Sequence, residues 1–396
     1  MNTALIHIVN GKIITPQGII NGVSVCIKDG LIESVNVQAP AIKDVVEIDA
    51  NDMYVSPGFI DIHIHGGGGA DFMDGTEKAF LQIAATHARY GTTSMLPTTL
   101  TSSKEELFHT LDIYKNANEK NKNGAQFLGL HLEGPYISIN QCGAQDPKYI
   151  RNPDSAEYKG ILTATDCIKR WSAAPELEGA LEFGKYLTEK GILATLAHTD
   201  ATYEEALKGF ENGYTLATHF YSAMSGVTRR NAFRYAGVIE AAYLIDEMDV
   251  EIIADGVHLP APLLQLVYKI KGANRTALIT DAMRGAGMPE GESVLGNIDT
   301  GLQVIIEDGV AKLPDRSAFA GSVATADRLV RNMINMAGVS LENAVKMATA
   351  TPARILKIDH LTGSLIPGLA ADLLIFDDNI NIQTTMVKGN IIYQKQ

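Results

Sequence analysis

Up to about residue 57, apolar residues alternate with polar ones or form short runs, and Gly-containing dipeptides interrupt them. ALIHIVNGKIITP, SVCIKDGLIESVNV and VVEIDA predict strands, and Asn10-Gly11, Asn21-Gly22 and Asp29-Gly30 predict hairpin turns. The far end has the same texture, with ADLLIFDD and TTMVKGNIIYQ flanking a turn at Lys388-Gly389-Asn390. A sheet of N-terminal strands alone would leave its edges exposed. Both termini are therefore expected to build one small β-sandwich domain, with the remaining chain inserted between them.

Between Pro57 and about residue 362 the pattern changes to an apolar run, a polar loop and a helical stretch ending in Gly, repeated. The clearest unit starts with ILATLAHTD. Thr202 and Glu205 then form a capping box, YEEALKGFEN reads as helix, Gly213 stops it, and YTLATHFY opens the next strand. FIDIHIH, TTSMLPTT, FLGLHLEGP, VEIIADG and TALITDA are further strands, and SAFAGS is a weaker eighth. Eight strands alternating with helices predict an α/β fold of the (β/α)8, TIM-type class, with an open doubly wound sheet as the rival. The expected division is residues 1–57 and 363–396 for the small β domain and 58–362 for the barrel.

Composition narrows the function classes. Among 396 residues, 33 basic and 46 acidic side chains give a net charge of −13, which disfavours nucleic acid and other polyanions as partners. No apolar run approaches the ~18–20 residues of a membrane helix, and the start MNTALIHIVNGK lacks a signal-peptide pattern. Cys26, Cys142 and Cys167 are odd in number and scattered, as suits a reducing cytoplasm rather than a disulfide framework.

The chemistry sits at strand ends. His63 and His65 are two apart on one strand and share a face. Glu133 closes FLGLHLE, His198 closes ILATLAH, His219 closes YTLATH and Asp281 closes TALITD. In a β/α barrel the C-terminal ends of the strands meet at one rim, so these six potential ligands converge. An oxygen and nitrogen set without thiolate suits one or two divalent ions, whether Zn, Fe, Mn or Co. Such an ion lowers the pKa of bound water from 15.7 to about 7, and a nearby carboxylate can carry protons, so hydrolysis is the expected chemistry. Residues 66–69, four consecutive glycines, read as a flexible site loop. His131 reads as structural, and His7, His87, His109 and His360 as surface or packing residues.

Pro57-Gly58-Phe59-Ile60-Asp61 followed by His63-Ile64-His65, with later single histidines and a final Asp, resembles the amidohydrolase superfamily. Its N-acetylglucosamine-6-phosphate deacetylase branch is the closer likeness. That likeness rests on His131-Leu132-Glu133-Gly134-Pro135-Tyr136, Ala197-His198-Thr199, His219-Phe220-Tyr221-Ser222-Ala223-Met224, Asp255-Gly256-Val257-His258 and Thr280-Asp281-Ala282. The resemblance implies removal of an acetyl group from an amino sugar phosphate. It assigns Glu133, His198 and His219 to a principal metal and His63 and His65 to a second one. Asp281 becomes the proton carrier and His258 a contact that polarises the acetyl carbonyl. Ser222 and Ala223 fall where the sugar phosphate lies, Phe319 borders the acetyl group, and a homodimer is expected.

Three departures from that pattern touch substrate recognition and leave the metal chemistry alone. Ser222 stands where an Asn is frequent, and Ala144-Gln145 where an Ala-His pair is frequent. Thr228-Arg229-Arg230-Asn231-Ala232-Phe233-Arg234-Tyr235 replaces the usual phosphate-arginine segment. Arg229, Arg230 and Arg234 form a local cationic spot in an acidic chain, and planar guanidinium groups suit phosphate. The expected substrate is N-acetylglucosamine-6-phosphate; N-acetylgalactosamine-6-phosphate or an N-acylamino acid on the same scaffold is the alternative.

Overall fold

A computed structural model describes residues 5–37 and 45–396, with the side chains of Asn36, Val37 and Arg230 outside the description. Parts of the expected 1–57 segment, residues 1–4 and 38–44, therefore lie outside the described residues.

Strands from both ends share one eight-stranded sheet. Its order runs Asn390–Gln394, Ile382–Val387, Leu373–Phe376, Tyr54–Pro57, Leu5–Thr15, Gly18–Lys28 and Leu31–Val37, with Val45–Asp49 on the free half of Leu5–Thr15. Ile8, Ile13, Val25, Ile27, Val55, Leu373, Ile375 and Met386 form its core. Two of the expected turns are present: Asp29 and Gly30 have φ of 53° and 78°, and Lys388 and Gly389 have 47° and 74°. Asn10-Gly11 and Asn21-Gly22 instead lie inside strands. The pairing of Leu5–Thr15 shifts register around Gly11, so this left-handed step makes a bulge rather than a reversal. The reversal falls between Thr15 and Gly18.

The inserted segment forms a barrel of eight parallel strands: Phe59–Ile64, Thr92–Thr99, Leu130–Glu133, Ile168–Ala173, Leu193–Leu196, Tyr214–Ala217, Asp249–Ile252 and Thr276–Leu278. It closes where Asp281 N donates to His63 O at 2.9 Å and His65 N donates to Ala282 O at 2.9 Å. Asp61 reinforces the seam, accepting Thr280 Oγ1 at 2.5 Å. Burial pushes the Asp61 carboxyl up to about 7.

One strand assignment is corrected. The fourth strand is Ile168–Ala173, whereas SAFAGS contributes Phe319–Ser322 to a separate antiparallel sheet with Gly291–Leu295, Leu302–Glu307 and Val310–Lys312. SAFAGS had strand character because Ser322 N bonds Asp281 O and Met283 N bonds Ser322 O, so it clasps the end of the eighth strand. This sheet packs Leu295, Val304, Ile306 and Ala320 over Met283 beside the barrel mouth.

Helices close the units as their caps predict. Thr202 and Glu205 complete the reciprocal capping box of Tyr203–Glu211, and Gly213 follows with φ of 103°. Trp171 is fully buried beneath the third βα loop, with its ring stacked 5.7 Å from Tyr136 and its Nε1 donating to Gly134 O at 2.9 Å. Among the described residues, no helix is long and apolar enough to cross a membrane.

Candidate metal centre

Glu133 ends the third strand and is the hub of the site. Its Oε1 lies 3.2 Å from His198 Nε2, 3.0 Å from His219 Nε2 and 3.4 Å from His63 Nε2, and its Oε2 lies 3.2 Å from His65 Nε2. Asp281 Oδ1 faces the same point, 3.5 Å from His63 Nε2 and 3.3 Å from His65 Nε2. The structure thus brings together all six residues of the strand-end pattern. The donor atoms form two overlapping groups, His63–His65–Glu133 and Glu133–His198–His219.

The other ring nitrogens explain how the imidazoles are aimed. Nδ1 of His198 donates to Gln141 O at 2.7 Å, that of His219 to Ser222 O at 3.1 Å and that of His65 to Thr98 O at 3.2 Å. His63 Nδ1 donates to the Glu251 carboxylate at 3.2 Å. Each Nδ1–H is held by its oxygen acceptor, so Nε2 is the nitrogen left facing the carboxylates, as a proton donor when no cation is bound and as the ligand atom when one is. Four Nε2 atoms and two carboxylates meet around one point. That arrangement calls for positive charge, and the donor set suits a divalent ion held by nitrogen and oxygen.

Electrostatics agree. Burial alone would lower the pKa of His63, yet Glu133 and Asp281 push it up to about 9. His65 is raised well above its usual value against the same burial, by its bonds to Asp281 and Glu133. Burial opposes ionisation of Glu133 and Asp281, and the surrounding imidazoles nevertheless hold both carboxyls low. The site gathers protons where a cation would otherwise sit.

His198, His219 and Asp281 adopt left-handed backbone conformations, with φ of 46°, 31° and 47°. Side chains other than glycine rarely accept this geometry, and it concentrates where function over-determines the backbone. Here it turns each residue off its strand and into the barrel mouth. Residues 66–69 are not the flexible loop expected. Gly66–Gly67 pairs with Ala70–Asp71, and a Cβ on Gly66 would meet Ala70 O at 2.4 Å. Glycine is used there for close packing under the mouth. His131 is also accounted for, with Nε2 bound to Ser172 Oγ at 2.6 Å and Nδ1 to Thr98 Oγ1 at 3.2 Å.

A cleft of about 510 Å³ opens above the centre, lined in part by Ala144, Gln145, Ser222, Ala223, His258 and Phe319. His258 Nδ1 donates to Asp255 Oδ2 at 2.8 Å, and Phe319 packs on the imidazole at 4.8 Å. Gln145 is buried: it donates to Glu133 Oε2 at 2.8 Å and accepts from Thr101 N at 2.7 Å. Its polar atoms are engaged with the hub and the second strand's loop. The arginine segment is a hairpin, Thr228–Arg230 with Phe233–Tyr235, in which Arg229 and Arg234 are exposed and directly opposed. Neither is among the residues lining this cleft. The Arg230 side chain lies outside the described residues. The sequence reading did not single out Leu100, Asn140, Tyr221 and Leu295, which also line the cleft, or Arg170 and Glu251 beneath it.

Residues 54–392 match the family described as the amidohydrolase family. The chain is 33% identical over 386 residues to an N-acetylglucosamine-6-phosphate deacetylase of Lysinibacillus sphaericus, covering 97% of each chain. It is 32% identical over 381 residues to an N-acetylgalactosamine-6-phosphate deacetylase of Escherichia coli O157:H7, covering 96% of this chain and 97% of that one. Among solved structures, an N-acetylglucosamine-6-phosphate deacetylase from Pasteurella multocida superposes with a TM-score of 0.91 at 28% identity, covering 99% of this chain and 100% of that one.

Proposed function

This chain belongs to the amidohydrolase family, and from that premise we propose that it hydrolyses the N-acetyl group of N-acetylglucosamine-6-phosphate. The products are glucosamine-6-phosphate and acetate. The observation that carries the reading is the convergence of Glu133, His198, His219, His63, His65 and Asp281 at one barrel mouth, each imidazole anchored through Nδ1.

Glu133, His198 and His219 would hold one divalent ion, and His63 and His65 with Glu133 a second. When bound, the ion supplies a water of lowered pKa and draws electron density from the acetyl carbonyl. Asp281 takes the proton of the water that adds to the acetyl carbon. It then delivers that proton to the nitrogen as the C–N bond breaks, so acetate and a free amine leave. His258 lines the cleft with its ring fixed by Asp255 and, as an imidazolium donating Nδ1–H to Asp255, gives Nε2–H to the carbonyl oxygen as charge develops there. Phe319 gives the acetyl methyl an apolar wall, and Ser222, Ala223 and Ala144 border the sugar. Gln145 acts on Glu133 rather than on the sugar.

The phosphate is assigned to the hairpin. Arg229 and Arg234 sit opposite each other across the two strands, a like-charge pair that is unfavourable until an anion lies between or above it. Phe233 is 72% exposed and Val227 60% exposed on the same projection. In a homodimer this hairpin reaches the cleft of the second copy and offers its guanidinium groups to the phosphate there.

The near-equal likeness to a galactosamine-type deacetylase supports a second substrate reading that differs only at the sugar. Acetate release by metal-loaded protein decides between them. N-acetylglucosamine-6-phosphate should be cleaved fastest, ahead of the galactosamine isomer and of unphosphorylated N-acetylglucosamine. Preference for the galactosamine isomer would replace the sugar assignment, and no release from either phosphate would overturn the substrate class.

A further inference from the structure

Below the metal centre the barrel interior is polar, and it contains an ion pair that the chemistry above does not use. Arg170 on the fourth strand and Glu251 on the seventh are fully buried. They meet through two bonds, Nη1 to Oε2 at 2.7 Å and Nη2 to Oε1 at 2.6 Å. The remaining guanidinium donors reach Ile62 O at 3.0 Å, Thr218 Oγ1 at 2.8 Å and Thr195 Oγ1 at 3.4 Å. Glu251 Oε1 in turn accepts from His63 Nδ1 at 3.2 Å and from the backbone N of His219 at 3.4 Å.

A buried ion pair seldom stabilises a fold more than apolar residues of the same volume would. Its place here, one bond from the metal centre, points to a different use. His65, His198 and His219 all anchor Nδ1 on backbone carbonyls. Only His63 anchors on a side chain, and that side chain is a carboxylate. A carboxylate behind an imidazole fixes its tautomer and ring angle and makes its far nitrogen a better donor.

We propose that Arg170 and Glu251 are a positioning pair for the His63–His65 metal position: Glu251 orients His63, and Arg170 holds Glu251 in place as its counter-ion. The pair acts through His63 and touches neither substrate nor ion. The inference rests on the two-ion reading above. It assigns the pair chiefly to one half of the centre: Glu251 also accepts from the backbone N of His219, but the rings of His198 and His219 keep their own Nδ1 anchors.

The test is Zn²⁺ binding by the full chain, measured by equilibrium dialysis. Arg170→Met/Glu251→Leu removes both charges and the acceptor while keeping the volume apolar. It should bind one ion as the wild type does and the second about 10–100-fold more weakly. Arg170→Met/Glu251→Gln keeps an amide oxygen for His63 and should restore most of the second-site affinity. Equal weakening of both ions, or an unchanged second ion, would overturn the proposal. If the Leu variant does not fold, Arg170→Lys decides: it keeps the charge but not the two-pronged grip on Glu251, so the second ion should weaken selectively, and unchanged binding of both ions would overturn the proposal. A wild type that takes up a single ion overturns this proposal and leaves a one-ion hydrolase standing. A wild type that takes up none removes the metal reading itself.

Discussion

The two halves of the metal centre are built from different material. His198 and His219 stand just past their strands in left-handed conformations, anchored on loop carbonyls and lining the cleft. His63 and His65 belong to the seam of the barrel and anchor on Glu251 and on Thr98 within the second strand, and of these two only His65 reaches the cleft lining. Loops place the first pair and the barrel interior places the second. Glu133 serves both, so neither half is independent of the hub. The difference teaches where sensitivity lies: the first half should respond to changes at the mouth, the second to changes deep in the barrel.

The largest loss of turnover with metal still bound is expected at the residue the halves share as proton carrier. Asp281→Asn should retain bound metal and fold normally while turnover falls by about 10²–10⁴-fold. Substantial residual acetate release would remove Asp281 from that role. Breaking the halves separately comes next. His219→Ala should abolish both acetate release and the tighter ion, whereas His63→Ala should lose one ion and keep measurable turnover. Metal analysis beside the activity assay checks both, and the opposite order would exchange the principal and second positions.

Smaller effects sharpen the comparison away from the ions. Replacing Arg229, Arg230 and Arg234 one at a time should show one position that raises KM for the phosphorylated substrate about tenfold or more, equal to ~1.4 kcal/mol. KM unchanged in all three would show that the hairpin does not bind phosphate. His87 supplies a contrast with His63. It is fully buried, its Nε2 donates to Gly66 O at 2.9 Å, and burial pushes its pKa down to about 4 while that of His63 stands at about 9. The unfolded chain protonates His87 near 6.5 and the folded chain near 4, so its contribution is complete above 6.5 and declines as pH falls toward 4. That decline amounts to roughly 3 kcal/mol at most. In denaturant titrations, His87→Gln should lose less stability than the wild type over this range, and parallel curves would refute the assignment.

The rim was legible in the sequence because metal-ligand residues closed separate apolar runs, and a barrel can bring such ends together. Periodicity and Gly punctuation likewise exposed the alternating units and the shared terminal sheet. Ile168–Ala173 escaped because Lys169 and Arg170 interrupt its apolar run. A buried arginine reads as strand only once its partner is known, and Glu251 lies 81 residues away. Gln145 posed a related problem. Its place where an Ala-His pair is frequent pointed to the substrate, and its bonds to Glu133 and to Thr101 of another loop were not legible. Residues 66–69 looked flexible from composition, and the packing of Ala70, His87 and Arg284 against them decided otherwise. In each case the missing information was a packing contact that the local sequence does not state.

The central claim is that a divalent ion held around Glu133 performs amide hydrolysis at this mouth. The direct test is to strip the protein with a chelator, add Zn²⁺ in fractional equivalents and follow acetate release from N-acetylglucosamine-6-phosphate alongside bound metal. Release should be absent in the stripped protein and return in proportion to the tighter ion. Acetate release that persists at full rate without bound metal would contradict the account.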